Sequence, residues 1–386
     1  MTEAAPHIAI VAGEASGDLL GAHLMAALAA RRPGIRFSGI GGPKMIERGL
    51  RSLYSIDRLA VRGYAEVIGQ YRAITAMRRA LAQQLIDERP ALFIGIDSSD
   101  FNLDLELRLK ASGIPTVHYV SPSIWAWRAW RARRVARAVT HLLALFPFEP
   151  ELYAKLGVPV TYVGHPLADV IPLESDRAQA RAQLRLPASG PVIALLPGSR
   201  RSELHYMGEL FVRAARLLQQ ELPGIAFVCP TATRETRAQL EEALHRHGDG
   251  ELAVTLMFGH SQEALAAADV ALVASGTATL EAALVKTPMV IAYRQSPVTW
   301  AMMRRMIYLK QIGLPNILAG EKFIPEFVQG EATPGALAAA VKSLLEDGEA
   351  QRRQIERFHE IHRTLRQDTA RKAADAVLRV LDGERA

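Results

Sequence analysis

The chain has 386 residues, 49% of them hydrophobic and 22% charged, with a formal net charge of +6. This excludes a disordered or fibrous chain and leaves room for two or three domains with large cores. A single cysteine, Cys229, excludes a disulfide framework and a multi-cysteine metal site, and it fits a reducing compartment. In chain order, residues 7–12, 36–40, 92–96, 116–120, 142–146 and 160–163 read as strands. Residues 17–30, 65–87, 101–111 and 125–138 between them read as helices. After a proline-rich pause at 164–191 the rhythm restarts, with strands at 192–196, 226–229, 254–256, 270–274 and 289–292. Helices are expected at 203–221, 234–247, 261–268, 280–285 and 334–345, and in a charged amphipathic tail. Strand–helix alternation of this kind predicts two α/β domains, each a doubly wound parallel sheet covered on both faces.

Such sheets bind ligands outside the C-terminal ends of their strands, so the residues following each strand carry the functional reading. The first strand runs into Gly13-Glu14-Ala15-Ser16-Gly17-Asp18. Glycines four apart allow a tight turn, and the helix start behind them suits an anion. The spacing is not G-x-G-x-x-G, so no dinucleotide fingerprint is present. The plainer reading is a turn with Ser16 as helix N-cap. Gly39-Ile40-Gly41-Gly42-Pro43 reads as a turn into a helix started by Pro43. The third strand of the pattern delivers Asp97, in Gly95-Ile96-Asp97-Ser98-Ser99-Asp100-Phe101-Asn102. A carboxylate leaving a buried strand can take a proton from a substrate hydroxyl; the alternative is a turn aspartate. Asp100 reads as the cap of the helix that follows.

In the second half, residues 192–196 run into Pro197-Gly198-Ser199-Arg200-Arg201-Ser202-Glu203. A glycine turn, two arginines and a helix start can hold a diphosphate through backbone N–H groups and guanidinium forks. The alternative is a solvated basic loop. Residues 270–274 run into Ser275-Gly276-Thr277-Ala278-Thr279-Leu280-Glu281. Small hydroxyl residues and glycine at a helix start again suit phosphate, and Glu281 suits ribose hydroxyls unless it only complements the helix terminus. Together these segments imply a nucleoside diphosphate on the second domain and an acceptor on the first. No two aspartates are spaced Asp-x-Asp, so neither a metal nor another cofactor is expected.

Three of the four tryptophans lie in Trp125-Ala126-Trp127-Arg128-Ala129-Trp130, followed by Arg131, Arg133, Arg134 and Arg137. The cluster fits a membrane interface, base stacking, or a core with a solvated basic face. Val67, Ile68, Tyr71 and Ile74 form an apolar stripe at helical spacing. Such a stripe is more often core, but it is also a candidate acyl-chain or membrane contact. A second candidate is the Met-rich basic segment from Trp300 to Tyr308. No apolar run approaches the roughly 18 residues of a transmembrane helix. The N-terminal stretch has no Lys or Arg before Arg31 and does not read as a signal peptide. A cytoplasmic location is expected. The positive charge favours anionic partners.

The motifs occur together and in order in one family. The chain resembles lipid-A-disaccharide synthases in Ala12 to Asp18, Gly95-Ile96-Asp97 with Asp100-Phe101-Asn102, and His118 to Trp127. The resemblance continues in Gly164-His165-Pro166, Leu196 to Arg200, Ala274 to Glu281, Tyr293-Arg294 and Leu314-Pro315-Asn316. One departure is Ser99, where the family pattern has proline. The resemblance implies a GT-B architecture, with 1–166 as the acceptor-side domain, 167–346 as the UDP-donor domain, and 347–386 returning to the first. It implies UDP-2,3-diacylglucosamine as donor and 2,3-diacylglucosamine 1-phosphate (lipid X) as acceptor. It also implies an inverting transfer and peripheral attachment to the anionic inner membrane. Asp97 is the expected base. Glu14, Ser16, Gly17, Arg200, Arg201, Ser275, Gly276, Thr277, Glu281 and Asn316 are the expected substrate and UDP contacts. A UDP-sugar 2-epimerase shares the architecture and is the rival reading; nucleic-acid binding leaves the strand-end turns unexplained. A homo-oligomer stays open.

Overall fold

The computed structural model describes residues 5–59, 67–124, 131–250, 252–304 and 311–384, with the side chains of 67–71, 298 and 302–304 left undescribed. The chain divides into two units, Met1–Asp169 with Leu365–Ala386, and Val170–Thr364. The units divide after Asp169, three residues beyond the expected boundary at 166, and the returning segment is corrected. Only the last helix, Thr369–Leu381, belongs with the first unit; Gly348–Leu365 stays with the second up to Thr364. The physical reason lies in what each helix touches. Gln354 is buried and exchanges hydrogen bonds with the backbone N–H and C=O of Met289, at 2.8 and 3.3 Å. Thr369–Leu381 packs on the helix Ala15–Arg31, with Arg31–Asp375 and Arg32–Asp382 ion pairs of 2.6 and 2.7 Å. Its start is tied down by Asp169, whose carboxylate accepts the N–H groups of Gln367, Asp368 and Thr369.

Among the described residues the first unit holds seven strands: β1 His7–Ala12, β2 Arg36–Gly41, β3 Leu50–Ser55, β4 Leu92–Ile96, β5 Thr116–Tyr119, β6 His141–Ala144 and β7 Val160–Tyr162. They pair in parallel in the order β3-β2-β1-β4-β5-β6-β7. The second holds β8 Val192–Leu196, β9 Ala226–Thr231, β10 Val254–Phe258, β11 Val270–Ala274, β12 Met289–Tyr293 and β13 Glu326–Val328, parallel in the order β10-β9-β8-β11-β12-β13. Both are Rossmann-like doubly wound sheets. The central strands are continuous apolar runs because helices cover both faces. The sequence pattern missed the two edge strands β3 and β13. The former alternates weakly and is largely solvent-facing; the latter has three residues.

Each sheet reverses its winding at one point, between β1 and β4 and between β8 and β11. Ligand crevices open there, at the strands' C-terminal ends. Asp97 and the Gly13 loop leave the first switch point; the Gly198 and Gly276 turns leave the second.

Candidate active site

At the first switch point β4 ends at Ile96. Asp97 and Ser98 then both take left-handed backbone, with φ of 50° and 41°, before the helix Ser99–Ala111 starts. Non-glycine residues rarely sit there, and each costs about 1–3 kcal/mol unless the surroundings enforce it. They do. The Asp97 N–H donates to the Tyr119 carbonyl at 2.8 Å. The Asn102 amide donates to the carbonyls of Asp97 at 2.9 Å and Ile96 at 3.2 Å. Val120, at the adjacent end of β5, has a φ of 82°, an outlier for a β-branched residue. The Asp97 side chain is half-buried.

The Gly13 loop closes against this turn: a Cβ on Gly13 would lie 2.0 Å from Ser98 Oγ. The helix behind it starts at Ala15 with Glu14 at the N-cap position and no side-chain cap, so Ser16 is not the cap. Glu14 and Ser16 are both exposed. Gly17 is buried, and a Cβ added there would lie 3.2 Å from Ala12 Cβ, so its lack of a side chain lets the helix pack closely on β1. Asp18, passed over in the sequence, is buried and accepts the N–H groups of Gly42, Lys44 and Met45. It thereby fixes the Gly39–Pro43 turn, which enters a helix at Pro43 as expected. Asp100 is not a cap either. It lies inside the first turn and pairs with Arg131.

Behind Asp97 lies a pair that sequence reasoning did not single out. Glu106 and His118 are fully buried, with Oε1 and Nδ1 2.7 Å apart. Desolvation holds the Glu106 carboxyl above its ordinary pKa. His118 Nε2 lies 3.5 Å from Ser99 Oγ, at the position where the family pattern has proline. The signal was available: a histidine inside an interior strand of a parallel sheet, beside the apolar run of β4.

At the second switch point a cavity of about 390 Å³ opens, lined by Gly198 to Arg200, Thr231, Ser261, Ser275 to Ala278 and Glu281. That is within the range of small-ligand sites. The Gly198 turn differs from expectation. Glu203 Oε2 accepts the N–H groups of Ser199 and Arg200 at 2.9 and 3.1 Å, so these donors are already used. Gly198 has a φ of 123°, and a Cβ there would meet Glu203 Cβ at 2.6 Å. The turn therefore offers the guanidinium of Arg200, 78% exposed, with Arg201 exposed at the helix start. The Gly276 turn is open: a Cβ on Gly276 would meet nothing within 4 Å. The helix Thr277–Val285 starts behind it, presenting the unsatisfied first-turn N–H groups of a helix terminus. The Ser275 hydroxyl donates to the Ile312 carbonyl at 2.8 Å. Glu281 accepts from the Ser261 hydroxyl at 2.8 Å. Thr231 ends β9 without a glycine turn and escaped notice; Ser261 follows β10 behind Gly259, a left-handed turn glycine that the sequence reading passed over.

Asn316 is the clearest correction. It is fully buried, and all of its polar valences are consumed. Its amide donates to Ile324 O and Glu326 Oε1 at 3.0 and 2.8 Å, and its oxygen accepts from the N–H groups of Phe323 and Ile324. It folds the loop rather than facing the cavity. Of the apolar stripe, Ile74 packs against the core of the first unit. The side chains of Val67, Ile68 and Tyr71 lie outside the described residues, as do the tryptophans at 125–130 and most of the 300–308 segment. In the helix Arg131–Ala138, Ala132, Val135 and Ala138 are buried while Arg133 and Arg137 are exposed. Among the described residues no helix is long and apolar enough to cross a membrane. Nor does any group of three or more His, Cys, Asp or Glu come together there as a metal site.

The model of the lipid-A-disaccharide synthetase family matches residues 8–380. The chain belongs to the lipid-A-disaccharide synthase family. Lipid-A-disaccharide synthases of Azoarcus and Aromatoleum aromaticum are 54% and 53% identical to it, each aligned over at least 96% of both chains. One from Pseudomonas syringae is 52% identical over 97% of each. Family membership makes this chain a disaccharide-forming glycosyltransferase, and the epimerase reading is the less supported. Solved structures share the fold. UDP-GlcNAc 2-epimerase from Neisseria meningitidis aligns with a TM-score of 0.62 at 12% identity, covering 98% of this chain and all of the other. A glycosyltransferase of kitacinnamycin aligns with a TM-score of 0.62 at 18% identity, over 98% and 99%. The fold is therefore the GT-B type that the sequence predicted.

Proposed function

We propose that this family member joins UDP-2,3-diacylglucosamine to lipid X, giving a β-1,6-linked tetraacyl disaccharide 1-phosphate and UDP. The observation that carries the reading is Asp97, a half-buried carboxylate fixed in strained backbone at the switch point of the first sheet. Asp97 takes the proton of the acceptor 6-hydroxyl as that oxygen attacks the anomeric carbon. The single in-line displacement inverts the centre. Glu14 at the N-cap position and Ser16 in the first turn of the helix Ala15–Arg31, both exposed, contact the reacting sugars.

The donor cavity lies on the second unit. Charge developing on the departing UDP meets the N–H groups of Gly276 and Thr277, the helix terminus behind them, and Arg200 with Arg201. Glu281 accepts from the ribose hydroxyls. These groups supply the electrostatic stabilisation without a divalent cation. The chain works at the cytoplasmic face of the inner membrane, attached peripherally. The exposed Arg133 and Arg137 meet anionic headgroups, and Val67, Ile68 and Tyr71 contribute apolar contact.

The test is incubation with both substrates in detergent and EDTA, with mass spectrometry for the disaccharide. Product in EDTA supports both the transfer and its independence of metal. Product only after Mg²⁺ is restored removes the second claim. A C2-epimer of the UDP-sugar formed without acceptor, with no net UDP and no disaccharide, returns the epimerase reading.

A further inference from the structure

Two buried acceptors behind Asp97 find no hydrogen-bond partner among the described residues: Asn102 Oδ1 and Glu106 Oε2. Both residues are fully buried. Unpaired buried oxygens are costly, so each calls for a donor. The two side chains stand one helical turn apart and converge on Gly95. A Cβ on Gly95 would lie 2.2 Å from Glu106 Oε1, and 2.9 and 3.1 Å from Asn102 Cβ and Cγ. Of the other charged groups of this helix, Arg108 is exposed and the rest are engaged elsewhere. Asp100 pairs with Arg131, Asp104 with Arg78 and Arg134, and Lys110 donates to the Val139 carbonyl. His118, from β5, is the titratable group that faces Glu106. An ionised Glu106 would only accept hydrogen bonds, and would leave both oxygens unpaired.

We propose that Glu106 is a positioning residue for the Asp97 turn and acts as a neutral carboxylic acid. Its Oε2–H donates to Asn102 Oδ1, and its Oε1 accepts the Nδ1–H of His118. The imidazole is then neutral, with Nε2 left to accept from the Ser99 hydroxyl. Because its oxygen is held, the Asn102 amide can only present its NH₂ to the carbonyls of Ile96 and Asp97. That fixes the left-handed turn that aims the Asp97 carboxylate. The burial of Glu106, which raises its pKa, agrees with the neutral form. The inference rests on Asp97 being the base.

The experiment compares Glu106→Gln, Glu106→Leu and Asp97→Asn in the full chain, with infrared difference spectra and steady-state kinetics. Glutamine can make both hydrogen bonds of the neutral acid, so Glu106→Gln should keep kcat within about threefold. Glu106→Leu should lower kcat on the order of 10²-fold, with the KM for the UDP-sugar unchanged because the donor cavity lies on the other unit. The protonated-carboxyl C=O band of the wild type should vanish in Glu106→Gln. If that band is absent from the wild type at pH 7, or if Glu106→Gln falls as far as Glu106→Leu, the proposal is overturned. Should Glu106→Leu not fold, the infrared band and the kinetics of Glu106→Gln still decide. Asp97→Asn keeps the two failures apart. Full activity in that variant removes the base and, with it, the positioning role, whatever the band shows. Lost activity with no band leaves Asp97 in place and removes only the neutral acid.

Discussion

The two switch points of this molecule hold their functional groups in opposite ways. At the first, Asp97 sits on strained backbone pinned by Asn102, Tyr119 and the Gly13 loop. The groups that support it are buried and bonded to one another, with a proton on Glu106 joining the two remaining acceptors. At the second, Arg200 and Arg201 stand in solvent, and the Gly276 turn is open. A proton acceptor needs a fixed direction toward one hydroxyl, so it is held rigidly. A diphosphate site needs positive potential and free donors, which exposed arginines and a helix terminus supply without a fixed geometry.

The largest expected effect tests the rigid side. Asp97→Asn should lower kcat by about 10²–10⁴ and leave the Kd for UDP unchanged by calorimetry. A comparable loss of UDP affinity would show that the two sites are not separable. On the second unit, Asn316→Ala should destabilise the fold by roughly 1–3 kcal/mol, because it strands the loop N–H groups of Phe323 and Ile324. The UDP affinity of the folded variant should stay put; a loss specific to UDP with unchanged denaturant midpoint would restore Asn316 to the donor site. Arg200→Ala should weaken UDP about tenfold, near 1.4 kcal/mol, with no change in thermal midpoint. An unchanged Kd would take Arg200 out of the site and leave the Gly276 turn as the phosphate holder.

For the apolar stripe the two halves should separate. Serine at Val67, Ile68 and Tyr71 should move protein from the membrane to the soluble fraction without unfolding it. Ile74→Ser should instead destabilise the first unit, since Ile74 packs on its core.

The last test is a pH dependence of the first unit. Burial lowers His141 and His165 to about 4. In the unfolded chain each takes a proton near pH 6.5, so the stability from keeping them neutral is complete above that pH. It is lost as pH falls toward 4, by up to about 1.4 kcal/mol per pH unit for each. Glu106 runs the other way: its raised pKa stabilises the fold below pH 4.5, and that contribution fades as pH rises through the folded value. The imidazole resonances of His141 and His165 should remain those of neutral rings at pH 5.

Much of this protein was legible in its sequence. The central strands of both sheets are continuous apolar runs, and four of them, 7–12, 92–96, 192–196 and 270–274, have the bounds that the pattern predicted. Those four strands are also β1, β4, β8 and β11, which flank the two switch points, so the amino-acid pattern alone locates the segments that leave them. Local periodicity and glycine placement suffice there because a buried parallel strand is specified by its own composition.

What the tertiary structure alone decided is which polar groups remain free. Glu203 occupies donors that the Gly198 turn was expected to offer. Asn316 spends its amide on a loop and on Glu326, ten residues away. Asp18 reaches across 24 to 27 residues to fix another turn, and Glu106 finds His118 twelve residues on in a neighbouring strand. A side chain's type shows what it can bond. Its partners are set by segments that meet only when the sheet closes, and in a buried, low-dielectric site that pairing determines whether a residue supports the fold or faces the substrate.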